Sequence, residues 1–291
     1  LGEARRHLTT VDPAAYQQYL RGRQALHRRT EQSLRDAVGL LQKAVNLDPK
    51  FALAHSALAE AYLLQAIYGV EPPLTVGVQA RQAAERALQL DGTLAEAFTS
   101  LGCLKAVVDW DWTGAAEAFR RAIELAPTYS TAHHWVGVNL LAPQGRFEEA
   151  LAALARAREL DPVSPAIGCT VGFVLFVARD YAVAAETLEE VIAKHGNIPL
   201  GQFFLGQVYA EMDRHAEAER ALRTAVALTE RSSETVAALA YALGRAGRSE
   251  EAAELLAELV ERSATRYVSP VHLAWACLGM GDQAGAMSWL C

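Results

Sequence analysis

The chain has 291 residues and a mass of 31.5 kDa, of which 56 alanines and 38 leucines form the bulk of the apolar content. With 52% hydrophobic but only 8% aromatic residues, 10 prolines and few Val/Ile/Thr runs between turn residues, the composition is helix-forming and excludes a sandwich, a barrel or a disordered chain. The net charge of −7 offers no basic field to a phosphate backbone, which excludes nucleic acid as a direct partner.

Internal repetition organises the whole chain. Alanines recur at Ala37, Ala80, Ala115, Ala150, Ala184, Ala218, Ala252 and Ala286, spaced by 43, 35, 35 and then four times 34 residues. Four residues after them stand Leu41, Ala84, Phe119, Leu154, Leu188, Leu222, Leu256 and Leu290, and seven after them mostly Ala again, so each phrase is one face of a helix. Twelve or thirteen residues upstream of the later alanines lies a second small residue: Gly102, Gly137, Gly172, Gly206, Ala240 or Ala274. Gly22 and Ala59 are the earlier equivalents. A small residue inside a helix is where a neighbouring helix comes close. Each unit is therefore a helix with a small waist, a turn such as Gln144-Gly145-Arg146-Phe147, and a second helix carrying the Ala/Leu stripe.

In chain order the expected units span 13–49, 50–92, 93–127, 128–162, 163–196, 197–230, 231–264 and 265–291, seven complete and the eighth stopping inside its second helix. Several close on Leu-Asp-Pro or a relative, as at Leu47-Asp48-Pro49 and Leu160-Asp161-Pro162, where Pro stops the helix. The first two units have longer spacings, and Tyr68-Gly69-Val70-Glu71-Pro72-Pro73 is expected to be an added loop, with 68–79 as its outer extent. Residues 1–12 read as a linker from an upstream region, since they hold neither an initiator Met nor an apolar signal core.

These small, aromatic, Ala and Pro positions on a 34-residue period resemble the tetratricopeptide repeat family over about residues 13–291. The resemblance implies an all-α, right-handed α-solenoid of stacked helix-turn-helix units. Ala15-Tyr16-Gln17-Gln18-Tyr19, Asp109-Trp110-Asp111-Trp112, Ala132-His133-His134-Trp135 and Tyr267-Val268-Ser269-Pro270 further resemble the C-terminal repeat arrays of bacterial multidomain signalling proteins that follow a winged-helix, Ser/Thr kinase or cyclase region.

The resemblance also implies that residues three before and one after each waist line a groove. Taken from the second unit onward these are Ser56/Glu60, Thr99/Cys103, His134/Val138, Cys169/Phe173, Phe203/Gln207, Ala237/Tyr241 and Val271/Trp275. None is Lys, Arg or Asn, which speaks against holding a peptide's terminal carboxylate. The expected contact residues are His134, Val138, Phe173, Phe203, Gln207, Tyr241 and Trp275, aromatic toward the C-terminal end and suited to apolar anchors of a peptide or protein. That partner could be the parent protein's own effector domain. The bland alternative is a tightly wound array whose inner side chains pack on one another.

No enzyme is expected, because no nucleophile, metal or phosphate motif is present. Gly279-Met280-Gly281-Asp282-Gln283-Ala284 fits GxGxxA but follows a helix and reads as a turn. His133 and His134 point about 100° apart on a helix and read as one packing and one surface histidine. Trp110 and Trp112 read as an aromatic wedge between hairpins. Cys103, Cys169, Cys277 and Cys291 form no CxxC pair and read as free thiols of a cytoplasmic protein. No cofactor, metal or membrane partner is expected. The alternative function is a sensor of a small apolar ligand closed in by Phe173, Phe203 and Tyr241. The last unit's Leu273, Leu278, Met287, Trp289 and Leu290 lack a polar cap, so either self-association through that end or further helical residues of the parent protein that cover it are expected.

Overall fold

A computed structural model describes residues 11–291, within which 16 α-helices and no strand are found. The residues form eight consecutive helical hairpins, an α-solenoid arrangement, divided into two compact units: one ending at Trp135 and one spanning Val136–Cys291. Of the expected linker 1–12, residues 1–10 lie outside the described part.

The first unit contains α1 (Pro13–Arg28), α2 (Glu31–Leu47), α3 (Ala52–Ile67), α4 (Pro73–Leu90), α5 (Ala95–Val107), α6 (Trp112–Leu125) and α7 (Ser130–Trp135). Helix starts follow from local chemistry. The Asp12 carboxylate accepts from the Ala14 and Ala15 amides ahead of Pro13, and Thr30 and Ser33 form a reciprocal capping box. The second unit opens with a π-helical turn, Val136–Leu141, and a 3₁₀ turn, Ala142–Gln144. It continues through α8 (Phe147–Leu160), α9 (Pro165–Val177), α10 (Tyr181–His195), α11 (Pro199–Glu211), α12 (His215–Leu228), α13 (Ser233–Arg245), α14 (Ser249–Ser263), α15 (Pro270–Gly279) and α16 (Gln283–Leu290).

The periodic alanines are the centre of each hairpin, and all eight are 2% exposed or less. Each glycine waist meets the residue four after the alanine of its own hairpin. A Cβ on Gly22, Gly102, Gly137, Gly172 or Gly206 would stand 2.5–2.9 Å from a side-chain carbon of Leu41, Phe119, Leu154, Leu188 or Leu222 respectively. The two sequence signals are thus the two sides of one contact. Close-packed interiors leave no room there for a methyl group.

The loop expected over Tyr68–Pro73 is present, ending one residue early where Pro73 starts α4, and it does not extend to 79. The connection is only Tyr68–Pro72, while α3 has 16 residues and α4 has 18 against 13 and 14 in α5 and α6. Pro73 presets helical φ at its first position and residues 74–79 are helical, so the rest of the insertion is absorbed as extra helical turn. The extra residue in the third and fourth hairpins is taken up differently, in the four-residue connection Val108–Asp111 in one and as the π turn Val136–Leu141 in the other.

A left-handed residue immediately precedes the N-cap of the second helix in nearly every hairpin: Arg29, Trp110, Gly145, Arg179, Asp213, Gly247 and Gly281 have φ between 52° and 78°. The turn geometry demands this conformation whatever the residue. At Trp110 it overturns the expected wedge. The positive φ swings the indole outward, where it is 70% exposed and touches Trp112 edge-on at 5.7 Å, outside the hairpin interface.

Candidate functional site

In the second unit, the first helices of successive hairpins bring aromatic rings into a continuous series. Phe173 of α9 stacks on Phe204 of α11 at 4.9 Å, and Phe204 lies 5.3 Å from Phe203. Phe203 meets Trp275 of α15 edge-on at 6.2 Å, and Trp275 lies 5.6 Å from Tyr241 of α13. The Phe203–Trp275 contact joins the sixth hairpin to the eighth. Phe203 and Gln207 are buried, whereas Phe173, Tyr241, Trp275 and Val138 are half-exposed. The Gln207 amide donates to the Phe203 carbonyl of its own helix at 3.5 Å.

Polar groups border the rings. The Tyr241 hydroxyl donates to Glu211 at 2.6 Å, and Arg245 pairs with Asp213 at 2.8 Å while its guanidinium stands 5.9 Å from the Tyr241 ring. Burial, then the hydrogen bond to Glu211, raises the Tyr241 hydroxyl above its ordinary value. One hairpin earlier the pattern recurs: Tyr209 donates to Glu189 at 2.5 Å, and the Arg214 guanidinium lies 4.2 Å from the Tyr209 ring centroid.

The first unit has a different surface. His134 is buried, and burial, with Arg29 adding to it, lowers its imidazole to about 3. His133 Nε2 donates to the Pro127 carbonyl, 3.0 Å away, so the two histidines have separate tasks. Ser56, Thr99 and Cys103 are buried, and Thr99 donates to Ala95 of its own helix at 2.8 Å. Glu60 pairs with Arg23 of α1. Applying the waist rule at Gly22 yields Tyr19 and Arg23, which the series begun at Ser56 leaves out; the signal was present in the sequence. A basic residue therefore does lie on this face, already committed to a carboxylate.

Among the described residues no group of three or more His, Cys, Asp or Glu is placed to hold a metal ion. Cys103, Cys169 and Cys277 are buried and Cys291 is exposed, none of the four in a disulfide, with burial pushing the Cys103 thiol up. Gly279 ends α15 and Gly281 takes φ +78°, so the GxGxxA stretch is the turn its helical context implied. Among the described residues no helix is long and apolar enough to cross a membrane.

The tetratricopeptide repeat family matches residues 111–165 and 174–235. Among curated proteins, the transcriptional regulator HilA of Salmonella typhimurium is 29% identical over 177 residues, covering 61% of this chain and 32% of its own length. The chain thus spans about a third of the relatives it matches. Among solved structures, yeast Tom70 aligns with a TM-score of 0.61 at 16% identity, covering 96% of this chain and 60% of that one. A chain of the APC/C hetero-tetramer Cut9-Hcn1 aligns with a TM-score of 0.64 at 16% identity, covering 88% of this chain and 48% of that one.

Proposed function

We propose that the chain, whose residues 111–165 and 174–235 match the tetratricopeptide repeat family, is a non-enzymatic interaction module. Its partner is a protein or peptide laid against the first-helix face of the second unit. The observation that carries this reading is the set of half-exposed rings of Phe173, Tyr241 and Trp275, held in series by Phe203 and Phe204. Rigid aromatic faces with polar borders are the usual anchors of protein contacts. The rings already touch one another, which favours a partner laid across their exposed faces over a small apolar molecule enclosed among them.

The match to one third of a transcriptional regulator supports a regulatory setting, with an effector region of the same polypeptide as a partner. The test is capture of partners by the wild-type chain and by Tyr241→Ala and Trp275→Ala. Loss of an anchor costs about 2 kcal/mol or more in affinity. Equal capture by both variants, with unchanged helicity, overturns the reading.

A further inference from the structure

A second surface lies in the first unit, where α1, α3, α5 and α7 follow one another as first helices. Tyr19 and Arg23 are four apart on α1, Ser56 and Glu60 four apart on α3, and Glu96, Thr99 and Cys103 are spaced by three and four on α5. Such spacings set each group on one helical face. α1 packs on α3, α3 on α5, and α5 on α7. The buried Ser56, Thr99 and Cys103 are the floor, and Tyr129, in the α6–α7 connection, packs with Ala95 and Phe98 beside Glu96.

The charges on this surface do not balance. Arg23 is bound to Glu60, whose attraction raises the guanidinium above its ordinary value. Glu96 is half-buried, and it takes part in none of the ion pairs found among the described residues. Glu60 and Glu96 both act on the Tyr19 and Tyr129 hydroxyls, adding to the burial that raises each, so the five side chains share one neighbourhood. Two carboxylates face one guanidinium, leaving one uncompensated negative charge in a partly desolvated recess, where screening by solvent is weak.

We propose that this surface binds a cationic side chain, arginine or lysine, of a protein segment, with Glu96 as the ion-pair acceptor and Tyr19 and Tyr129 as flanking rings. Charge complementarity selects a basic occupant. An acidic one would have to displace Glu60 from Arg23 and approach Glu96. The inference rests on the reading of first-helix faces as contact surfaces but concerns different residues from the aromatic series.

The experiment titrates the full chain into fluorescein-labelled alanine-serine peptides carrying arginine, lysine or glutamate at alternate positions, and repeats it with Glu96→Gln and Glu117→Gln. Glu117 lies exposed on α6, so its variant changes net charge identically without touching the recess. The expected result is binding of a basic peptide that weakens about tenfold in Glu96→Gln, the loss of one charge-assisted contact, and stays unchanged in Glu117→Gln. A Tyr19→Leu variant is expected to weaken it as well. Equal affinity of the two Gln variants, equal binding of the glutamate peptide, or no binding of either basic peptide overturns the proposal. Failure here with Trp275-dependent capture intact refutes the cation site alone, and the converse result refutes only the aromatic one.

Discussion

Gly244 of α13 and Gly279 of α15 meet backbone to backbone: a Cβ on Gly244 would stand 2.5 Å from the Gly279 carbonyl carbon, and one on Gly279 would stand 2.4 Å from the Tyr241 Cα. The glycine waists press chiefly on side chains, which can shift, with the Ala150 carbonyl oxygen beside Gly137 as an additional main-chain contact. Here only main chain is available to yield. The approach of α15 to α13 also carries Trp275 to within reach of Tyr241 and of Phe203.

Gly279→Ala is therefore expected to separate the two helices and to cost about 1–3 kcal/mol, the range for overfilling a packed interior. Gly39 on α2 is the control, because a Cβ there meets nothing within 4 Å. Gly39→Ala should stabilise by about 0.5–1 kcal/mol, since alanine loses less conformational entropy in a helix. Thermal melts that move both variants in the same direction would refute the close approach.

Ala218 is 0% exposed, and its carbonyl would lie 3.3 Å from a Cβ on Gly206. Ala218→Leu should cost about 1–3 kcal/mol. Two residues earlier, Ala216 is exposed, and Ala216→Leu should leave stability within about 0.5 kcal/mol of wild type. Urea denaturation of the pair checks the helical register of α12; equal midpoints would show the stripe to be misassigned.

Arg179 is exposed and sits at φ 65° before the N-cap Asp180. A left-handed conformation costs a non-glycine residue about 1–2 kcal/mol, part of which glycine gives back as entropy. Arg179→Gly should stabilise by about 0.5–1 kcal/mol once both effects are combined. A lower melting temperature would mean that Arg179 makes a contribution the turn geometry does not explain.

Burial lowers the folded-state His134 to about 3, while the unfolded chain protonates near the ordinary value of 6.5. Between those values the unfolded state binds the extra proton. The contribution is therefore complete above the unfolded value and is lost as pH falls from there toward about 3. In denaturation at neutral and mildly acidic pH, wild type should lose more stability than His134→Gln. Parallel pH profiles would place the imidazole in contact with solvent.

Much of the architecture was legible in the sequence because it is local and repeated. The alanine period, the residue four later and the upstream waist are consequences of one helix pressing on the next within a hairpin. Sequence distance there is only 12 to 19 residues for the glycine waists. The glycine of the GxGxxA stretch and the separate tasks of His133 and His134 were readable for the same reason, since helical context fixes which way neighbouring side chains point.

Tertiary structure decided what depends on several hairpins at once. The buried state of Phe203 and Gln207 follows from Phe203 meeting Trp275, two hairpins away, which no single repeat records. Trp110 faces outward because the turn requires a left-handed residue one position before the cap, and Trp110 occupies that position. The pairing of Arg23 with Glu60, and the uncompensated charge of Glu96, emerge only when α1, α3 and α5 lie side by side. Periodicity fixes the contacts that a helix makes with its immediate neighbour, whereas the character of a surface built from several helices is set by how closely their backbones approach, as Gly244 and Gly279 determine in the last two hairpins.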